Sequence, residues 1–89
     1  MVSVKRIVLD VLKPHQPNAL EFSQTIAQTG PDYHVSLTVI EMDENTETLQ
    51  IEVAGKDIDF EAVQLAISAM GGSLHSLDVV EVENEPNAG

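Results

Sequence analysis

Residues 34–53, HVSLTVIEMDENTETLQIEV, decide the fold, because two alternating stretches meet there at one polar turn. Every second residue from Val35 to Val39 is apolar, and the same alternation returns from Leu49 to Val53. Residues 43–46 between them, Asp-Glu-Asn-Thr, have the composition of a solvated turn rather than of a calcium loop. The pattern predicts an antiparallel hairpin with one face in a core.

An amphipathic helix is predicted on each side of this hairpin. Asn18 is placed to cap the start of the first helix and Asp59 the start of the second, and apolar residues follow both at helical spacing. Gly30, followed by a proline, is expected to end the first helix. Gly71, followed by a second glycine, is expected to end the second.

Two further strands are predicted outside the helices, at residues 4–12 (VKRIVLDVL) and 74–82 (LHSLDVVEV). The order strand, helix, strand, strand, helix, strand specifies a split βαβ sandwich of the α+β class. Both helices should cover one face of a four-stranded antiparallel sheet with strand order 4-1-3-2. We predict one domain over residues 1–83 and a frayed acidic tail over 84–89. Leu77 and Val79 are the residues of the fourth strand that we assign to the core.

Composition limits the class of protein. Eighty-nine residues make one small domain, and the absence of cysteine excludes disulfides and thiolate metal sites. No apolar run approaches the roughly 20 residues of a membrane-spanning helix. Charged residues interrupt the first apolar stretch, so a signal peptide is not expected. We expect a soluble cytoplasmic protein.

The charge is strongly acidic: fifteen Asp and Glu stand against four Lys and Arg, a net charge of −11. Such a field repels phosphate backbones and anionic lipids, so we predict neither a nucleic-acid nor a membrane partner. Two interpretations of the acidity remain open, namely adaptation to a high-salt cytoplasm and cation binding.

Catalytic patterns are largely missing. The chain has no cysteine nucleophile, no phosphate-binding glycine loop and no nucleophile elbow. His75, Ser76 and Asp78 contain the residue types of a triad, but adjacent strand residues point to opposite faces. We therefore predict no enzyme, with a small enzyme that uses His15 or His75 as general base as the weaker alternative.

Two stretches identify a family resemblance. RIVLDVLKPHQP (residues 6–17) and GGSLHSLDVVEV (residues 71–82) resemble a small archaeal family of unknown function, DUF211. The resemblance extends from about Arg6 to Glu81. It implies a ferredoxin-like fold and assembly into homo-oligomers, and it implies no established activity.

A candidate cation site lies where the first strand ends and the fourth begins. If Lys13 pairs opposite His75, the antiparallel register places Asp10 opposite Asp78. Opposed aspartates repel each other unless a cation intervenes, and their oxygens suit Ca²⁺ or Mg²⁺. The alternative is that Arg6 neutralises Asp10 on the same sheet face.

Two histidines are predicted near the same edge of the sheet, where the first strand ends and the fourth begins. His15 and His75 could bind a transition metal, act as an acid–base pair, or contact a small ligand together with Arg6. The alternative is structural, with His15 an exposed loop residue and His75 hydrogen-bonded to backbone at a strand end.

The sheet face away from the helices is predicted to be half apolar, which is typical of a surface that another subunit covers. We therefore predict a non-enzymatic homo-oligomer that associates through this open face and binds a cation or small ligand at subunit boundaries. The alternative is a purely structural assembly protein without a ligand. The open-face residues are expected to be Arg6, Val8, Asp10, Leu12, Ser36, Thr38, Ile40, Gln50 and Glu52.

Overall fold

The strands and helices follow the predicted order through residues 1–86, the part of the chain that the computed structural model describes. The strands form one antiparallel sheet in the order β2-β3-β1-β4, with both helices packed on one face. This is a ferredoxin-like α+β fold, so the predicted fold class and strand order are confirmed. The six elements are β1 (Val2–Pro14), α1 (Ala19–Ala27), β2 (His34–Met42), β3 (Thr46–Ala54), α2 (Phe60–Ala69) and β4 (Ser73–Asn84).

Both helices begin at the predicted caps. The side chain of Asn18 accepts a hydrogen bond from the amide of Glu21 at 2.9 Å. The side chain of Asp59 accepts one from the amide of Ala62 at 3.1 Å. Each cap satisfies an amide that the first helical turn would otherwise leave without a partner.

The two helices end by different means. Gly71 has φ +84°, its amide donates to the carbonyl of Ser68, and the amide of Gly72 donates to the carbonyl of Ile67. This is a Schellman motif, so the predicted stop of α2 is confirmed. For α1 the prediction is wrong: the helix ends at Ala27, before Gly30, and Gly30 does not have a positive φ.

The core lies between the helices and the helix-facing sides of β1 and β3. These two strands are the central ones, so helices cover their apolar alternation over most of its length. The side chains are almost all aliphatic, as the composition requires, and truncating one of them to alanine typically costs about 2–5 kcal/mol. The buried cluster consists of Ile7, Leu9, Val11, Phe22, Ile26, Leu49, Ile51, Val53, Ile58, Val63 and Ile67.

β4 contributes much less to this core than predicted. Leu77 is 43% exposed and Val79 is 37% exposed, so assigning them to the core is a misprediction. Leu77 pairs with Leu9 and Val79 pairs with Val8, because the register shifts between these pairs. An extra residue in one strand reverses the facing of every residue beyond it. Leu77 and Val79 therefore lie on opposite faces.

β1 and β4 extend beyond the rest of the sheet. The last β1–β3 pair joins Arg6 to Ala54, whereas β1 and β4 remain paired out to Val2 and Asn84. The outer end is a two-stranded ribbon, and the molecule measures 53 × 21 × 17 Å. The sheet thus includes residue 84, which the sequence predicts to be in the tail, and residues 87–89 of that tail lie outside the described part. Within residues 1–86, neither helix has the length and apolar content needed to span a bilayer.

Candidate functional site

A buried ionic cluster lies at the end of β1. Lys13 continues the helix-facing alternation of this strand and is fully buried, and Glu47 lies opposite it on β3. The Lys13 ammonium lies 3.2 Å from Oε1 of Glu47. It also donates to the carbonyls of Pro14 at 2.8 Å and of His15 at 3.4 Å. Three acceptors therefore surround its three protons, as a buried ammonium requires.

His15 completes this cluster from the loop after β1. Its Nδ1 lies 2.9 Å from Oε2 of Glu47. Its Nε2 lies 3.1 Å from the carbonyl oxygen of Asp43 and 3.0 Å from that of Glu44. The hydrogen bond with Glu47 raises the pKa of His15 above its ordinary value, and the two carbonyls add to this effect. The same hydrogen bond, followed by that of Lys13, lowers the pKa of Glu47.

Hydrogen bonds within the β2–β3 turn, which contacts His15, stabilise the conformation of that turn. Oδ1 of Asp43 accepts hydrogen bonds from the amides of Asn45 and Thr46 and from the Thr46 hydroxyl, at 3.0–3.2 Å. The bonds from Thr46 and Asn45 lower the pKa of Asp43. This carboxylate therefore organises the turn, which agrees with a polar turn rather than a calcium loop.

The structure does not bring His15 and His75 together as a pair. His15 points to the β2–β3 turn, which lies on the β3 side of β1. His75 belongs to β4, on the other side of β1, where the register shifts between the pairs Asp10–Ser76 and Val11–Leu74. Both ring nitrogens of His15 are engaged by the carboxylate and carbonyls of the turn rather than directed at His75.

The predicted pairing of Asp10 with Asp78 does not occur. Asp10 lies opposite Ser76 rather than Asp78, and Asp78 is itself the extra residue of β4 between the partners of Val8 and Leu9. The Ser76 hydroxyl lies 2.7 Å from Oδ1 of Asp78 and donates to it. Asp10 and Asp78 therefore do not oppose each other: Asp10 pairs with Ser76 across the strands, and Asp78 accepts the hydrogen bond of Ser76. Throughout the described chain, no three His, Asp or Glu side chains form a group that could hold a metal ion.

Arg6 has partners other than the one expected. Its Nε contacts the Glu52 carboxylate, and its Nη1 lies 3.4 Å from Oε1 of Glu81. Instead of neutralising Asp10, Arg6 on β1 therefore pairs with one carboxylate on β3 and one on β4. A shallow concavity of about 160 Å³ adjoins it, lined by Arg6, Val8, Ser36, Thr38, Gln50 and Glu52.

Sequence reasoning missed the Lys13–Glu47 pair as a site. A signal was present, since Lys13 follows Val11 at the two-residue spacing of the buried face and Glu47 precedes Leu49 at the same spacing. A lysine and a glutamate that each continue a buried alternation on neighbouring strands indicate a buried ion pair. Only the register could show that they meet.

Comparison with known proteins relates this chain to an uncharacterized family and to one of its relatives. The model of the family DUF211, described as uncharacterized ArCR, matches residues 5–85 of this chain. An uncharacterized protein of Methanocaldococcus jannaschii is 36% identical over 80 residues, which cover 90% of this chain and 82% of that protein. The family match thus includes parts of all four strands and both helices.

Proposed function

This chain belongs to the uncharacterized archaeal family DUF211, and from that premise we propose that it is a non-enzymatic module that associates with copies of itself. The observation that carries the proposal is the exposure of β4. Leu77, Val79, Val80 and Val82 are 37–54% exposed along one strand. Clustered apolar exposure of this kind is typical of an interaction surface.

The position of β4 strengthens this proposal. β4 is an edge strand, so one side of its backbone has no neighbouring strand within the described chain. It is also long, at 12 residues, and an uncovered long edge readily pairs with another chain. Val8, on the open face, is only 5% exposed in the single chain. We therefore propose β4, rather than the centre of the open face, as the main contact.

The enzyme alternative receives less support. His15 was one candidate general base, but its two ring nitrogens are engaged by Glu47 and by two backbone carbonyls. A general base needs a free lone pair within reach of a substrate proton. The remaining candidate, His75, lies exposed on the edge strand.

Light scattering tests self-association directly. The expected mass is several times the 9.6 kDa of one chain. Val80→Glu and Val82→Glu should reduce it, because each places a charge in the apolar stretch of β4. Leu20→Glu is the matched control, since Leu20 is 66% exposed on α1, which packs beside β2 at the opposite edge of the sheet. A monomeric wild type at micromolar concentration would contradict the proposal.

We propose a divalent cation such as Ca²⁺ or Mg²⁺ as the ligand at the subunit boundary. The support is the group of Asp10, Ser76 and Asp78 beside the proposed contact, which offers hard oxygen ligands. One chain supplies too few of these ligands for a complete shell, so the neighbouring copy and water would supply the rest. A purely structural assembly without a ligand is the alternative.

Thermal melts with and without each cation separate these two possibilities. A bound cation raises the melting temperature of the wild type, and Asp10→Asn or Asp78→Asn abolishes the rise. Glu61→Gln, an exposed acid in the first turn of α2, is the charge-matched control and should retain it. An unchanged melting temperature with both cations favours assembly alone.

A further inference from the structure

The His15 side chain links two segments that are distant in the sequence. The His15 ring belongs to the loop after β1, yet its three hydrogen-bond contacts all reach the β2–β3 turn or the first residues of β3. These contacts join positions 28–32 residues apart in the chain. The turn otherwise relies on its internal bonds around Asp43.

All of the partners of the ring are hydrogen-bond acceptors. Glu47 offers a carboxylate to Nδ1, and Asp43 and Glu44 offer carbonyl oxygens to Nε2. The imidazolium carries a proton on both nitrogens and can donate to both groups. Neutral imidazole carries one proton, so either tautomer turns a lone pair toward an acceptor. The full contact set therefore requires the cation.

We propose that His15 is a pH-sensitive clasp on the β2–β3 turn, closed when its ring is cationic and released when its ring is neutral. The device belongs to the fold of the single chain, so it is independent of self-association and of cation binding. Release of the clasp loosens the β2–β3 turn and the adjoining end of the edge strand β2. Ile40 and Met42 are exposed at that end of β2, at 59% and 62%.

The charges around the ring support this direction. The carboxylates of Glu47, Asp43 and Glu44 and the ammonium of Lys13 are the titratable groups on the segments that contact it. The pKa values of Glu47 and Asp43 are lowered, so both stay ionised through the neutral range. The raised pKa of His15 means that the clasp is closed below pH 6.5 and opens as the pH rises through the raised value.

NMR titration of the intact protein tests the clasp. The His15 ring protons should titrate with a midpoint above 6.5, the ordinary value for histidine. The amides of residues 43–47 should show an inflection at the same midpoint. Their protection against hydrogen exchange, corrected for intrinsic rates, should fall by up to about tenfold for each pH unit between 6.5 and that midpoint and should level off above it.

Two variants make the result specific. His15→Gln should remove the inflection at residues 43–47, whereas His75→Gln, a change at an exposed histidine on β4, should preserve it. An inflection that persists in His15→Gln would overturn the proposal, as would a His15 midpoint at or below 6.5. If His15→Gln does not fold, the wild-type titration alone tests the proposal. Different midpoints for the His15 ring and for the amides of residues 43–47 would overturn it.

Discussion

The ammonium of Lys13 is fully buried, and its Nζ lies 3.2 Å from Oε1 of Glu47. A buried ion pair is not strong evidence for net stability, because removing both charges from water offsets much of their attraction. Removing one partner is different, since it leaves the other charge buried without compensation. The pair therefore makes each of its members sensitive to substitution.

Glu47→Gln should lower the free energy of unfolding by about 3–5 kcal/mol, because the Lys13 ammonium then lacks its counter-charge. Urea denaturation at neutral pH measures this difference. Glu44→Gln is the matched control, because Glu44 is exposed and its side chain lies outside the pair; its effect should stay within about 0.5 kcal/mol. Equal, small effects of both substitutions would show that the pair carries little of the stability.

Acid should destabilise the protein through the same carboxylate. The pKa values of Glu47 and Asp43 are lowered from 4.5 and 3.8, so the unfolded chain binds protons more readily than the folded one. The stability that these groups contribute is present above the unfolded values and is lost as the pH falls through the folded ones.

Asp43→Asn separates the two carboxylates in this experiment. Asparagine retains a side-chain oxygen that can accept the turn hydrogen bonds, so stability at pH 7 should change little. Its loss of stability between pH 5 and pH 2 should be smaller than that of the wild type. Denaturation curves at each pH check this, and identical acid profiles would contradict a role for Asp43.

Gly30→Ala should destabilise the protein by displacing Tyr33. A Cβ at position 30 would lie 2.2 Å from Cε1 of the Tyr33 ring, so the ring must move. The Tyr33 hydroxyl accepts a hydrogen bond from the amide of Asp59 at 2.6 Å, next to the start of α2. We expect a loss of about 1–3 kcal/mol from overpacking. Tyr33→Phe removes only the hydrogen bond and should cost about 1 kcal/mol. If Gly30→Ala melts like the wild type, this packing is not required.

Salt should raise the melting temperature. The net charge of −11 creates self-repulsion that counterions screen. Few ion pairs oppose this trend, because the chain has only four Lys and Arg. Calorimetry between low and high ionic strength at pH 7 measures the shift. A flat response would mean that ions or a partner subunit already compensate the carboxylates.

Salt should also tighten self-association for a related reason. Asp78, Glu81 and Glu83 border the exposed apolar residues of β4, so two copies that meet there bring like charges together. Light scattering at increasing salt should give a mass that stays constant or rises. A mass that falls toward 9.6 kDa would indicate that ion pairs, rather than apolar contacts, hold the copies together.

Sequence by itself determined the order of elements, the two helix starts and most of the core. These features depend on residues a few positions apart: Asn18 caps an amide three residues on, and the Ile7–Leu9–Val11 alternation is set by strand geometry. Gly71 likewise ends α2 within its own turn. Local physics of this kind can be read along the chain.

Tertiary structure alone decided the partners of the functional candidates. The register pairs Asp10 with Ser76 rather than Asp78, and an extra residue in β4 puts Leu77 and Val79 on opposite faces. No local pattern marks where such a bulge occurs. The register also places Lys13 opposite Glu47. His15 contacts Oε2 of that carboxylate, the oxygen that does not face Lys13. Pairing between strands is settled by packing over the whole sheet, and one inserted residue reverses every facing beyond it.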